Sequence, residues 1–238
     1  MQEFIQSIKD SVFINLIYED RYQFLLDGFA MTIYLTLMSF ILGTLIGALF
    51  CKLRLSKNTR IVKGMEWLKT LLVRLPTLVL LILFVYVIFS DLNISIVTLA
   101  IFTFSIKAGA YISDIMYSAI TSVNQGEVEA ARTLGMSEFK AFSLVVLPQA
   151  VKQALPVYRN QLIITMQETS LAGFLAIADL TRASNIITSR TMDPYISIII
   201  ISVAYLIIGG ISGMLFNAAD KERHLKSADF SEQGGVRK

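Results

Sequence analysis

The sequence predicts an all-α membrane protein, a polytopic bundle of about five transmembrane helices. Apolar residues make up 55% of the 238 residues, and charged residues make up only 16%. An average soluble domain is about 25% charged. The mean hydropathy is +0.63, and the apolar residues gather in long runs that few charges interrupt. Several spans of about 20 residues fit into this length, but a large soluble domain does not fit beside them.

Five apolar runs are long enough to cross a bilayer. The predicted spans are residues 29–50, 67–89, 94–120, 157–178 and 195–216. The second run contains Arg74 and Pro76, and a proline cannot donate to the helical hydrogen-bond ladder. The sequence therefore predicts a kink in the second span, which either faces an aqueous pathway, where the arginine finds water or a carboxylate, or is merely structural.

Residues 1–27 precede the first span and have helical periodicity. Apolar residues recur at every fourth position in this segment, at Phe4, Ile8, Val12 and Leu16. This spacing predicts an amphipathic helix that lies along the membrane surface. The helix is interpreted either as a scaffold or as a substrate gate.

The distribution of charge predicts the orientation in the membrane. Residues 52–63 carry five basic and no acidic residues, whereas residues 1–27 carry five acidic and two basic residues. Short loops rich in Lys and Arg stay in the cytoplasm. We therefore expect the N-terminal segment outside the cell and the basic loop inside. With five spans, the polar tail of residues 218–238 is also expected in the cytoplasm.

A charged stretch between the third and fourth spans, at residues 126–148, breaks the apolar pattern. Glu129, Ala130, Ala131 and Leu134 lie in a short helical segment, and Gly135 is suited to a left-handed stop. Ser137 and Glu138 then open a second helix, and Pro148 is expected to end the element. By shape alone, the stretch is either an ordinary helical hairpin or a docking element.

The order Glu-Ala-Ala, three residues, Gly and then Leu-Pro resembles the EAA loop of permease subunits of bacterial ATP-binding-cassette (ABC) importers. In that family the loop carries a coupling helix that sits in a groove on the ATPase subunit. The stretches DGFAMTIYLTLMSFILGTLIG, GAYISDIMYSAI and LPQAVKQALPVYRNQLIITMQETSL are similar to the polar amino acid branch of the family. The resemblance extends from residue 27 to residue 216.

The chain departs from that branch at several positions. The branch has Arg-Gly-Thr-Pro and a later Gln where this chain has Arg74, Pro76 and Leu80, and it has Arg where Tyr117 stands. It also has Lys-Asp before Thr-Ser-Leu, where this chain has Gln-Glu. These changes leave the class of transporter intact and weaken an assignment of substrate.

The resemblance implies a type I ABC importer permease fold, with a transmembrane domain at residues 28–217 and a cytoplasmic coupling loop at residues 121–150. It implies an ABC ATPase dimer, a second permease subunit that is identical or different, and an extracellular or periplasmic binding protein for an amino acid. The implied location is the bacterial inner membrane. The implied ATPase-coupling residues are Glu129, Ala130, Ala131, Leu134 and Gly135.

The chain itself has no phosphate-binding G-x-x-x-x-G-K-[ST] motif, so ATP hydrolysis is expected on a separate subunit. We expect no cofactor and no nucleic-acid partner. The lone Cys51 excludes an internal disulfide, and the single His224, in the polar tail, has no companion ligand for a metal.

Ionisable residues inside the predicted spans mark a candidate substrate pathway, because each costs roughly 2.5–3.5 kcal/mol at a helix centre. Lys107, Tyr111 and Asp114 share one helix face, and Glu168 lies at a depth comparable to that of Lys107. Either Lys107 pairs with Glu168 or Asp114 to fix the bundle, or Lys107 meets a substrate carboxylate and Glu168 a substrate ammonium group.

Hydroxyl groups and glycines leave further alternatives open. Thr169 and Ser170 either line the same cavity or bond back to their own helix. Gly43 and Gly47 form a G-x-x-x-G pair for close packing, within or between subunits. A packing role is also expected for the glycines of the last span, which are Gly209, Gly210 and Gly213.

Two other functions compete with an importer permease. The first is an ion-driven secondary transporter or a channel without an ATPase, and the second is a membrane-embedded enzyme. A docking loop has no use in an ion-driven carrier, and the sequence has no Ser-His-Asp, metal or thiol constellation. The sequence therefore favours an importer permease over both of these functions.

Overall fold

The computed structural model describes residue 6, residues 9–211 and residues 213–214, and within these residues all regular structure is helical. The helices are α1 (Tyr22–Arg54), α2 (Thr59–Arg74), α3 (Thr77–Leu83), α4 (Ile96–Thr121), α5 (Gln125–Thr133), α6 (Glu138–Ala141), α7 (Leu147–Thr169), α8 (Leu180–Thr191) and α9 (Pro194–Ile211). Wide π-helical turns extend α3 and α6, at Phe84–Ile88 and Phe142–Val146, and a 3-10 turn at Ser170–Leu175 follows α7. The predicted all-α class is confirmed.

Three single helices are long and apolar enough to cross a membrane, namely α1, α4 and α9. Two further spans are bent pairs. The α2–α3 pair bends by 106°, and the long helical stretch Glu138–Leu175 bends by 46° where it meets α8. Within the described residues there are therefore five spans if each bent pair counts as one, in agreement with the predicted number.

The break in the second span falls at the predicted proline. Leu75 leaves the helix in an extended conformation (φ −71°, ψ 132°), and Pro76 starts α3. The proline ring disfavours the helical conformation of the residue before it and supplies no N–H group. The predicted kink is confirmed, and it is a sharp bend of 106° between two separate helices.

The fourth span begins earlier than predicted, and a further helix follows it. Its helix α7 begins at Leu147 rather than near residue 157, and Pro148 lies in the first turn and does not end the preceding element. Pro148 follows the wide π-helical turn Phe142–Val146, and the helical stretch Glu138–Leu175 continues through it. Helix α8 was not predicted, because its polar residues look like a loop. Asp179 caps it by accepting a hydrogen bond from the Arg182 N–H at 2.8 Å.

Glycines hold the centre of the bundle together by letting α1 and α4 approach closely. A Cβ atom on Gly47 would lie 2.8 Å from Cγ2 of Ile112 and 3.0 Å from the Gly109 carbonyl oxygen. A Cβ atom on Gly43 would lie 3.0 Å from the Cβ of Ala108. The G-x-x-x-G pair therefore packs within the subunit, against another helix of the same chain.

The glycines of α9 do not have the expected packing role within the described part of the chain. A Cβ atom on Gly210 or Gly213 would meet nothing within 4 Å, and one on Gly209 would reach only the tip of Met166, at 3.9 Å. Large apolar side chains of α9 are exposed as well, with Leu206 at 75%. This helix turns most of its surface away from the rest of its own chain.

The N-terminal segment is tied to the far end of the chain by one buried amide. Asn15 donates to the Asp193 carboxylate at 3.1 Å and accepts from the hydroxyls of Thr191 and Ser197. Val12 and Leu16 lie on the same inward side and are half-buried. The arrangement favours the scaffold interpretation. Phe4, Ile8 and the tail at 218–238 with His224 lie outside the described residues.

The close contact between α1 and α4 at Gly47 can be tested by measuring protein stability. Replacing Gly47 with Ala should lower the stability of the folded protein by about 1–3 kcal/mol, because the added methyl group overpacks a backbone contact. The Gly210→Ala variant is the matched control, since its methyl group enters open space. Thermal unfolding in detergent measures both. Equal melting temperatures for the two variants would contradict the close approach.

Candidate functional site

The charged interruption forms a rigid helix–turn–helix, as predicted. Helix α5 ends at Thr133, and Gly135 in the turn after it has the left-handed φ of +84° that favours glycine. The Gly135 N–H donates to the Arg132 carbonyl at 3.0 Å, and the Met136 N–H donates to the Ala131 carbonyl at 3.2 Å. This pair of bonds is the Schellman arrangement, and it satisfies the last carbonyls of the helix.

Side chains cap the start of both helices in the loop. The Asn124 side-chain oxygen accepts from the Gly126 N–H at 2.9 Å, and the Ser137 hydroxyl accepts from the Lys140 N–H at 3.3 Å. Such caps satisfy amides that a helix leaves free at its N-terminus. The loop therefore has a defined shape before any partner binds.

One of the predicted coupling residues faces inward. Ala131 is buried, as is Ala141 on the second helix of the hairpin. The Gln149 side chain donates to the Glu127 carboxylate at 2.6 Å and ties α5 to the start of α7. Of the two alanines of the motif, Ala131 therefore packs inside the hairpin, and Ala130 is exposed.

The other four predicted coupling residues, Glu129, Ala130, Leu134 and Gly135, are exposed. Leu134 is 81% exposed, and Phe139 on the following helix is 77% exposed. Phe139 was not among the predicted residues, although a large apolar residue in a polar loop is a signal for it. Large apolar side chains exposed on a rigid loop mark an interaction surface.

The predicted pair of Lys107 and Glu168 lies at the break of the second span. The Lys107 ammonium group donates to the Leu75 carbonyl at 2.8 Å and lies 3.8 Å from Oε1 of Glu168. The same Oε1 accepts a hydrogen bond from the Thr77 hydroxyl at 2.8 Å. Pro76 lies between these two contacts and leaves the Leu75 carbonyl available to Lys107.

The second oxygen of Glu168, Oε2, is buried and has no hydrogen-bond partner among the described residues. A buried carboxylate oxygen without a donor is costly and calls for a partner. Arg74, one residue before Leu75, is exposed at the same break. An acidic oxygen and the Lys107 ammonium group therefore meet where the second span is broken.

Asp114, which the sequence places in the candidate pathway with Lys107 and Tyr111, contacts a different set of charges. It accepts from Arg54 and from Lys69, each at 2.9 Å, and both of these cations also contact Glu66. The Arg54 guanidinium group lies 4.2 Å from the centre of the Tyr117 ring. These groups form a second cluster near the end of α1, and half-buried Tyr111 lies between the two clusters on α4.

The two hydroxyl residues bond back to their own helix. Thr169 donates to the Met166 carbonyl and Ser170 to the Gln167 carbonyl, each at 2.7 Å. The Thr169 hydroxyl also lies 3.3 Å from that of Thr36 on α1. The sequence left open whether these hydroxyls line a cavity or bond back to their own helix. In the structure both bond to backbone carbonyls, and Thr169 also contacts α1.

A bundle of five candidate spans, with a charge pair at a membrane-embedded break and a capped, exposed loop between two spans, defines a multi-pass transport subunit. The sequence model of the family "Binding-protein-dependent transport system inner membrane component" matches residues 39–221. The chain belongs to this family of ABC transporter permeases, as the resemblance predicts. The family is a family of transport subunits, and its place in the importer implies an ATPase partner.

Individual relatives support this membership. The chain is similar to the histidine/lysine/arginine/ornithine transport system permease protein HisM of Salmonella typhimurium, with 31% identity over 90% of this chain and 95% of the relative. It is also similar to the probable amino-acid ABC transporter permease protein YckA of Bacillus subtilis, with 29% identity over 85% of this chain and 90% of the relative.

Solved structures share the fold. The crystal structure of an amino acid ABC transporter with histidines covers 84% of this chain and 94% of its own, with a TM-score of 0.78 and 28% identity. The MetNI methionine ABC transporter has a TM-score of 0.67 at 16% identity, over 82% of this chain and 96% of its own, and supports the fold alone.

The pair at the break predicts a coupled effect on stability. Replacing Lys107 with Met leaves Glu168 buried without its cation, which should cost about 3–5 kcal/mol. Adding Glu168→Gln to this variant should recover much of the loss, since no unpaired charge is then left. Thermal unfolding of the single and double variants measures the coupling, with the exposed Lys152→Met as the control. Strictly additive losses would show that the two groups do not interact.

Proposed function

We propose that the chain is the membrane-spanning subunit of an ATP-driven importer for amino acids, and that residues 121–150 couple it to the ATPase. The observation that carries the proposal is the capped hairpin with Leu134 and Phe139 exposed on it. A rigid loop with exposed apolar residues transmits movement, because it does not deform when a partner pushes on it. The membership in a family of ABC importer subunits supports the same role.

The proposed complex contains two permease subunits, an ABC ATPase dimer and an extracellular or periplasmic binding protein. Closure of the ATPase subunits around ATP moves the coupling loops. Rigid-body rocking of the two bundles then exposes the pathway to one side of the membrane and afterwards to the other. ATP hydrolysis belongs to the partner subunits in this scheme.

The proposed orientation places the N-terminus outside and the C-terminus in the cytoplasm. The five Lys and Arg residues at 52–63, a stretch without Asp or Glu, support it. In this orientation, residues 1–27 lie on the outer surface and the coupling loop and residues 218–238 lie in the cytoplasm, where the ATPase is found.

Leu134 gives a test of the coupling role. Truncation to Ala removes an exposed apolar contact, and a central contact of this kind is worth more than about 1 kcal/mol in an interface. We expect the Leu134→Ala variant to lose at least fivefold in uptake and in retention of the ATPase subunit. Leu206→Ala is the matched control, because Leu206 is an equally exposed leucine on α9.

The measurement is uptake by proteoliposomes together with co-purification of the ATPase subunit. Normal uptake and normal co-purification of Leu134→Ala would contradict docking at this loop. A loss in Leu206→Ala as large as in Leu134→Ala would also contradict it, because the effect would then follow from exposed leucines in general.

For the substrate pathway, we propose that the positively charged group of an amino acid meets Glu168 at the break of the second span. The unpaired Oε2 of this residue supports the assignment. Lys107 has three donors and gives one to the Leu75 carbonyl, so it keeps donors for a substrate carboxylate. Exposed Arg74, the residue before Leu75 in the chain, is proposed as a second cation of the site, and Tyr111 borders the site along α4.

The relatives support an amino acid as the substrate, since HisM is named for histidine, lysine, arginine and ornithine, and TcyB of Bacillus subtilis is named for L-cystine. Every amino acid carries an ammonium group and a carboxylate, which suit a site with one acidic oxygen and two cations. Asp114, Thr169 and Ser170 are not included in the site, because their polar atoms are bonded elsewhere.

Glu168→Gln tests this site. The amide keeps an oxygen for the Thr77 hydroxyl but removes the negative charge. We expect the KM for the best transported amino acid to rise at least tenfold, corresponding to about 1.4 kcal/mol, with the ATPase subunit still bound. Exposed Gln167→Ala is the control. An unchanged KM in a folded Glu168→Gln complex would rule out contact between this carboxylate and the substrate.

A further inference from the structure

Four exposed cations lie at the junction of α1 and α2, and we call them the basic patch: Lys52, Lys57, Arg60 and Lys63. Residues 52–65 contain neither Asp nor Glu. Among the residues that the structure describes, no carboxylate forms an ion pair with any of the four side chains. The patch is therefore an uncompensated positive surface.

The nearest acidic groups are already neutralised on the inner side of α2. Glu66 and Asp114 contact Arg54 and Lys69 at distances between 2.7 and 2.9 Å. Two carboxylates thus balance two cations, and none of this negative charge is left for the basic patch. Whatever balances the patch has to come from outside the described chain.

The position of α2 brings the patch to the membrane surface. Arg54 is the last residue of α1, and its bond of 2.7 Å to Glu66 puts the middle of α2 beside the end of that span. Trp67 follows Glu66 and is 69% exposed, and Leu71 is exposed one turn later. Arg60, Trp67 and Leu71 share a helix face, since seven and four residues separate them.

Along this face the order is cation, indole ring and aliphatic side chain. This order matches the polarity of a bilayer leaflet, which changes from charged headgroups through the interface to apolar acyl chains. Lys and Arg next to a membrane attract anionic lipids, tryptophan prefers the interface, and helices with both features lie at membrane surfaces.

We propose that the basic patch, together with Trp67, binds the headgroups of anionic phospholipids in the leaflet at the C-terminal end of α1. The ammonium and guanidinium groups bond the lipid phosphate, and Leu71 lies along the acyl chain. An acidic surface of the ATPase subunit is the competing partner. A lipid is favoured because Trp67 and Leu71 continue the exposed face toward the break in the span with an indole ring and an aliphatic side chain, which suit a bilayer better than an acidic protein surface.

Lipid binding at this place also has a structural consequence. Helix α2 is fixed on its inner side by Glu66 and Lys69 and ends at the Leu75 carbonyl, which Lys107 holds. A lipid on the outer side would fix the same helix from the opposite direction. The inference depends on the membrane location of the chain and not on which solute it carries.

The test uses the complete transporter complex in nanodiscs of phosphatidylcholine and phosphatidylglycerol, with spin-labelled forms of both lipids as probes. We expect the wild-type complex to immobilise phosphatidylglycerol at least threefold more strongly than phosphatidylcholine, and this preference to fall as salt rises. In the Lys57→Gln/Arg60→Gln/Lys63→Gln variant the preference should fall by at least half. The variant keeps Lys52 and Arg54, which preserve basic residues in the loop.

Lys9→Gln is the control, because Lys9 is an exposed lysine at the other end of the bundle. Three results would overturn the proposal: no preference in the wild type, an unchanged preference in the triple variant, or an equal fall in the control. Loss of the ATPase subunit from the triple variant with an intact lipid preference would assign the patch to the protein partner instead. Transport in phosphatidylcholine alone separates this result from a failure of the proposed transport function.

Discussion

The close approach of α1 and α4 is the contact on which the other helices depend. Glycines on both helices remove the side chains that would hold the backbones apart, so that a Cβ atom at Gly47 or Gly109 would collide with the facing helix. In a membrane the hydrophobic effect does not drive helices together, and close van der Waals contact takes its place. Helix α4 is thereby fixed in the middle of the bundle, where it becomes a support for the broken spans.

Polar groups on α4 then determine where the second span lies. Lys107 donates to the Leu75 carbonyl at the C-terminal end of α2, and Asp114, two turns after Lys107 on α4, accepts from Lys69. Broken backbone is tolerated at membrane depth only where its free carbonyl and N–H groups find partners. The lysine supplies such a partner, so the break and the charge are parts of one arrangement. The same lysine is the cation nearest to Glu168, which links the shape of the span to the proposed site.

The proposed coupling loop has a different basis, because it is ordered without being deeply buried. Its shape comes from local hydrogen bonds, with a cap at the start of each helix and a glycine turn between them. Its buried side chains are alanines and valines, such as Ala131, Ala141 and Val146, whereas the larger Leu134 and Phe139 remain on the surface.

The sequence by itself determined the class of fold, the number of spans, the break at Pro76 and the hairpin around Gly135. Each of these follows from local chemistry, namely apolar length, the missing N–H of proline and the left-handed conformation of glycine. It also showed that Lys107 and Glu168 lie at similar depth, and it found the EAA motif that indicates the family.

Only the tertiary structure decided which groups face each other. Spacing along α4 puts Lys107 and Asp114 on one face but does not show that one meets a carbonyl and the other a cluster of charges. Sequence spacing likewise predicts a packing role both for the glycines of α1 and for Gly210. In the structure the glycines of α1 pack against α4, whereas a Cβ atom on Gly210 would meet nothing within 4 Å. The polar helix α8 was missed for a related reason, since the residues against which Leu180 packs, Met166 and Ile208, lie elsewhere in the chain. Periodicity shows which residues share one face of a helix. The stability and the function of that face depend also on the residues of other helices that pack against it.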